Sequence, residues 1–127
     1  MKLLIDTHLL LWAAADILPA DAAPYFMDND NELLFSPASI WEIIIKRNLN
    51  RSDFQVDTIA LYHGLLDNGY KELGITGHHA LLVADLPPVH KDPFDRILVA
   101  QAKAEGAVLL TSDKTVSKYS PTIYVGR

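Results

Sequence analysis

Asp6 and Asp113 each stand at or just past the end of a short apolar run, Lys2-Leu3-Leu4-Ile5 and Ala107-Val108-Leu109-Leu110-Thr111. Asp95 falls in the first turn of a helix announced by Asp92-Pro93, and Glu42 in the second turn of one announced by Ser36-Pro37. If the runs are strands of one parallel sheet, these four acids face the crevice beyond the strands' carboxyl ends, where α/β proteins place their sites. Carboxylates gathered there repel one another unless a cation neutralises them. A set of oxygen ligands without cysteine or paired histidine selects a hard divalent ion, magnesium or manganese, rather than zinc. Such an ion suits phosphodiester hydrolysis, because it generates hydroxide from water and stabilises charge on the attacked phosphate.

Each acid also has an ordinary reading. Asp6 can be an N-cap, Asp113 a turn residue, Asp95 a first-turn acid favoured by the helix dipole, and Glu42 half of a surface pair with Lys46. Local pattern leaves these alternatives open.

The elements that must carry the acids emerge from spacing. Lys2–Ile5 reads as a strand covered on both faces, and Leu9, Leu10, Trp12 and Ala13 continue as a helix capped by Asp6 or Thr7. Pro19–Met27 predicts a second helix with Pro24 as an internal penalty, then the polar turn Asp28–Asn31 and a strand at Glu32–Phe35. The third helix runs from Ser36-Pro37 to Asn48, with Ala38, Ile45 and Leu49 sharing the face of Glu42. Asn50–Asp57 is a polar connection; Asp57 caps a helix over Thr58–Asn68 that Gly69 ends. Tyr70–Ile75 offers a short strand, and Gly77-His78-His79 opens a helix that Pro87-Pro88 stops. In the Asp92–Glu105 helix, Phe94, Ile97, Leu98 and Ala102 repeat at helical spacing and Gly106 stops the element. A short segment at Lys114–Lys118 and an edge strand at Thr122–Val125 complete the chain. Strands alternating with helices predict a three-layer α/β sandwich, a mainly parallel sheet with helices on both faces, in one domain over 1–127.

Several classes are excluded or disfavoured. With no cysteine the chain has no disulfide, thiolate metal site or thiol nucleophile, which suits a reducing cytoplasm. Adjacent His78 and His79 lack ligand spacing and read as surface or helix-start residues. His8 and His90 lie nearer the acids, without the pattern of a hydrolase triad. No glycine-rich phosphate loop occurs, and the apolar start is too short to span a membrane. The net charge of −5 opposes non-specific attraction to a phosphate backbone, so a nucleic acid would need a local patch. Lys46, Arg47 and Arg51 form the densest basic cluster, which is either a solvated face or that patch.

Leu4-Ile5-Asp6-Thr7-His8, Ser39-Ile40-Trp41-Glu42-Ile43, His90-Lys91-Asp92-Pro93-Phe94-Asp95-Arg96 and Thr111-Ser112-Asp113 resemble, in order, the motif blocks of the PIN-domain ribonucleases. More narrowly they resemble the VapC toxins of bacterial toxin–antitoxin pairs. The resemblance implies a metal-dependent endoribonuclease in which Asp6, Glu42, Asp95 and Asp113 bind magnesium, with manganese as an alternative. It implies orienting roles for Thr7, Ser39, Asp92 and Thr111, RNA as substrate, a cognate antitoxin as partner, and a homodimer. Two other classes compete. An inactive PIN-like RNA-binding or regulatory module would tolerate loss of any one acid, whereas all four positions hold a carboxylate. An aspartyl-nucleophile phosphotransferase would carry a second Asp two residues after the first, and position 8 is His.

Overall fold

Along β1 (Lys2–Ile5) the side chains alternate, Leu3 and Ile5 entering one core and Leu4 the other, so the strand is buried on both faces. The computed structural model, which describes residues 1–126, makes β1 the centre of one five-stranded sheet. Its neighbours are β2 (Glu32–Phe35) and β4 (Val108–Thr111), with β3 (Lys71–Glu72) and β5 (Thr122–Tyr124) at the edges in the order β3-β2-β1-β4-β5. Every pairing is parallel, with Leu4 opposite Leu34 on one side and Leu109 on the other. The chain leaves β1 toward β2 and later returns to β4, so the strand order reverses at the carboxyl end of β1, where Asp6 stands.

Among the described residues there are six α-helices: α1 (Thr7–Ala14), α2 (Ala23–Met27), α3 (Pro37–Asn48), α4 (Thr58–Asp67), α5 (Gly77–Leu82) and α6 (Pro93–Glu105). Leu9 and Leu10 of α1 and Leu61 and Leu65 of α4 fill the core that contains Leu3, Ile5, Phe35 and Leu110. The opposite core joins Leu4, Leu34 and Leu109 to Ala38 of α3 and to Leu98, Val99 and Ala102 of α6. Each such Leu or Val withdrawn from water contributes about 1.5–3 kcal/mol before entropy is counted, which is how short strands are held in register. Gly106 closes α6 in the left-handed conformation, at φ 64°. Among the described residues no helix is long and apolar enough to cross a membrane.

Several expectations need correction. The helix expected over Pro19–Met27 shrinks to Ala23–Met27, which puts Pro24 in the first turn, where its missing N–H costs nothing. The strand expected at Tyr70–Ile75 is only Lys71–Glu72, because β2 offers it partners only at Leu34 and Phe35. Leu49 is 69% exposed at the C-cap of α3, and Glu42 shares its buried face with Ala38, Ser39 and Ile43 instead. Phe94 and Ile97 are half-buried, while Val99, Ala100 and Gln101 join Leu98 and Ala102 in the interior. The connection Asn50–Asp57 contains a 3₁₀ turn, Ser52–Phe54, whose Phe54 is fully buried against His8. His78 is exposed, but His79 is only 2% exposed: its Nδ1 accepts from the Thr76 N–H, and its other ring nitrogen meets Glu105 at 3.1 Å.

Candidate metal centre

Asp6 is placed by β1 and fixed by contacts to α1 and β4. Its Oδ1 accepts the Leu9 N–H at 2.9 Å, capping α1, and its Oδ2 accepts the Thr111 hydroxyl at 2.7 Å and the Ser112 N–H at 2.8 Å. The ordinary reading as an N-cap therefore describes one oxygen, while the other ties the carboxyl end of β1 to that of β4. Burial pushes the Asp6 carboxyl above its usual range, and the hydrogen bonds from Leu9, Thr111 and Ser112 pull it back, as does nearby His8.

Glu42 is carried into the same region by α3, which Ser36 caps through the Ala38 N–H at 3.1 Å. Only 4% exposed, Glu42 accepts the Thr7 hydroxyl at 2.6 Å on Oε1 and the Lys46 ammonium on Oε2. The same Thr7 hydroxyl lies 3.0 Å from the Ser39 hydroxyl, so Thr7 and Ser39 link the start of α1 to α3. Lys46 does pair with Glu42 across one helical turn, yet the carboxylate is interior rather than on a solvated face. Lys46 and Arg51 also lie over the Phe54 ring, at 5.0 and 5.7 Å from its centroid, and His8 contacts Asp53 at 3.2 Å. That contact, first among the causes, draws Asp53 below the usual carboxylate range.

The mouth of α6 brings the rest. Asp92 caps the helix through Oδ1, which accepts from Phe94 N at 2.8 Å and Asp95 N at 3.4 Å, as its sequence position predicts. Asp95, half-buried, is pushed up to about 7, first by burial and then by repulsion from Asp92 and Glu42; His90 opposes the shift. Asp113 is a turn acid through Oδ1, which accepts from Thr115 N at 2.7 Å, while its Oδ2 faces His90 Nε2 at 3.9 Å. His90 Nε2 lies 2.8 Å from Asp95 Oδ2.

Among the described residues, one group of possible metal-ligating atoms lies within 4.8 Å of one another: His90, Asp95 and Asp113. Two of the four expected acids thus share a tight group with a histidine, Glu42 is near enough to raise Asp95, and Asp6 is tied to the residues immediately before Asp113. His90 has no assigned role in the sequence reading: it lies near the acids and opens the motif block of Asp92 and Asp95, and neither fact says which way the imidazole turns. Two carboxylates and an imidazole this close, with Glu42 near enough to raise Asp95, fit a divalent cation by donor type and charge. A cavity of about 720 Å³ between α1 and α4, lined by Ala13, Phe26, Leu61, Leu65 and Tyr70 among others, contains none of these acids.

The fold has counterparts. The chain is similar to one in the crystal structure of VapBC2 from Rickettsia felis bound to a DNA fragment from their promoter, with TM-score 0.71, 14% identity and 98% of each chain covered. It is similar to one in the DNA-bound VapBC from Salmonella typhimurium, with TM-score 0.68, 13% identity, and 99% and 97% covered. For the PIN domain endonuclease Utp24 the TM-score is 0.58 at 17% identity, with 99% and 86% covered. No curated protein matches the sequence. These likenesses establish the fold. The sequence itself matches the family model described as PIN domain over residues 3–120, from β1 through the segment that precedes β5, and the chain belongs to the PIN domain family.

Proposed function

We propose that this chain is a divalent-metal-dependent endoribonuclease and the toxin of a VapC-type toxin–antitoxin pair. The observation that carries the reading is Asp95, a carboxyl held near neutrality by burial and by two neighbouring acids, within a few ångströms of His90 and Asp113 at the carboxyl edge of a parallel sheet. Asp6, Glu42, Asp95 and Asp113 would hold the ion, magnesium or manganese. When bound, it lowers the pKa of coordinated water and offsets charge on the attacked phosphate. The chain's own residues supply the positioning: Thr111 and Ser112 orient Asp6, Thr7 orients Glu42, Ser39 braces Thr7, and Asp92 fixes the helix mouth that presents Asp95.

An acidic protein needs a local cationic surface to hold RNA. Lys46 and Arg51, gathered over Phe54 beside the Glu42 wall, provide one for the phosphate backbone. The partners we assign are a cognate antitoxin and a second copy of the chain. The apolar cavity between α1 and α4 supports a protein partner, and the exposed Trp41, Ile44 and Leu81 support self-association. Likeness to chains from VapBC assemblies supports the antitoxin.

The test is cleavage of single-stranded RNA by protein stripped of metal, with and without magnesium or manganese, and then sequencing of the RNA ends. Metal-restored cleavage that Asp95→Asn abolishes is the expected result. Intact RNA under every condition, with folded protein, overturns the reading in favour of an inactive binding module. A light-scattering mass of one chain at micromolar concentration would remove the homodimer.

A further inference from the structure

The segment before α6 is clamped from both sides. Arg96 Nη1 donates to the His90 carbonyl at 3.2 Å and to the Tyr119 hydroxyl at 3.1 Å, and Nη2 to the Val83 carbonyl at 2.9 Å. The Tyr119 hydroxyl, on a residue only 3% exposed, accepts the His90 N–H at 3.1 Å. Both backbone groups of His90 are therefore held by side chains, which is more than an N-terminal connection needs if its imidazole has no task. The clamp aims that imidazole: Nε2 stands 2.8 Å from Asp95 Oδ2 and 3.9 Å from Asp113 Oδ2. Ligand atoms around an octahedral ion with bonds of about 2.1 Å stand roughly 3.0 Å apart when adjacent and roughly 4.2 Å apart when opposite. The observed separations fall close to that range, so the three atoms need little movement to share one ion.

We propose that His90 Nε2 is a direct ligand of the ion held by Asp95 and Asp113, and that this nitrogen makes the site prefer manganese to magnesium. The inference rests on the metal-dependent reading above and adds to it a ligand and an ion preference. Magnesium takes oxygen donors and keeps its waters, whereas the softer first-row ions accept imidazole readily.

The experiment is pulsed electron paramagnetic resonance on full-length, metal-stripped protein titrated with Mn²⁺ alone, beside calorimetric titrations with Mn²⁺ and Mg²⁺. Wild type is expected to show nitrogen coupling to Mn²⁺. In His90→Gln, whose amide can still donate to Asp95, the coupling should vanish and Mn²⁺ affinity should fall about tenfold, with Mg²⁺ affinity changing less than about twofold. If His90→Gln does not fold, His90→Asn takes its place with the same expected loss of coupling, and His8→Gln, which must leave the coupling intact, is the control. Mn²⁺ bound to wild type without nitrogen coupling overturns the proposal and leaves the nuclease reading standing. Equal losses for the two ions overturn the manganese preference. No binding of either ion at millimolar concentration overturns both proposal and reading.

Discussion

Asp6 is buried and Asp95 half-buried, and both are pushed above the ordinary carboxylate range, yet their surroundings are opposite. Asp6 is surrounded by donors: the N–H groups of Leu9 and Ser112 and the hydroxyl of Thr111 all point at it. Asp95 faces acids, Asp92 and Glu42, and its side chain pairs with His90. The first acid is satisfied by the fold and holds β1, α1 and β4 together. The second meets two acids and is offset by His90 alone, so it gains from an external cation. Within one crevice, the acid that ties the elements together and the acid crowded by other acids are therefore different residues.

Substitution should separate them. The largest effect is expected from Asp95→Asn, which keeps the side chain's size and removes its charge. RNA cleavage should drop at least about a hundredfold, as when an electrostatic group of an active site is lost, while the melting temperature of the metal-free protein holds or rises because repulsion is relieved. Wild-type turnover by folded Asp95→Asn protein would collapse the distinction. Next, Asp6→Asn should cost about 1–3 kcal/mol, since an amide nitrogen cannot accept and leaves the Ser112 or Leu9 N–H buried without its partner. Urea titration of both variants, with Asp6→Asn as stable as wild type, would count against the anchoring role.

A further effect is expected with pH. Asp95 rises from 3.8 to about 7 in the folded chain, chiefly through burial and then through Asp92 and Glu42. The folded state thus holds that proton more tightly than the unfolded state, and the stability this confers is full near pH 4 and lost as pH rises through about 7. Thermal melts in chelator should show the Asp95→Asn protein gaining on wild type across that interval and no further above it. A difference independent of pH would mean that Asp95 is not the group responsible. Smaller again, Thr7→Val removes the hydroxyl that reaches Glu42 and should cost about 1 kcal/mol in the same urea titration. Asp85→Asn, exposed and outside the crevice, should change neither stability nor cleavage.

The sequence was most legible where structure is local. Asp92-Pro93, Ser36-Pro37 and Asp57 announce their helices because a cap needs only its own first turn, and all three caps form. The apolar strands with acids at their ends were readable for a similar reason, since a strand buried on both faces has no polar alternation. What escaped depends on distant partners. Phe54 sits in a stretch whose composition is polar, and its burial is decided by α1, through His8, and by Lys46 and Arg51. Leu49 has helical spacing on the face of Glu42, but α3 ends at Asn48 and leaves it exposed. His90 is oriented by Arg96, six residues on, and by Tyr119, 29 residues away, which no local pattern encodes.

The bonds from Thr111 and Ser112 to Asp6 span 105 and 106 positions of the chain. During synthesis Asp6 is made 105 and 106 residues before Thr111 and Ser112, the two donors on its Oδ2. Until β4 has been translated and slotted against β1, Asp113 is absent and the aspartate at the end of β1 has no wall opposite it. A nascent chain therefore carries its first acid in an incomplete crevice, and competence arrives late, with closure of the sheet by a contact of long sequence separation.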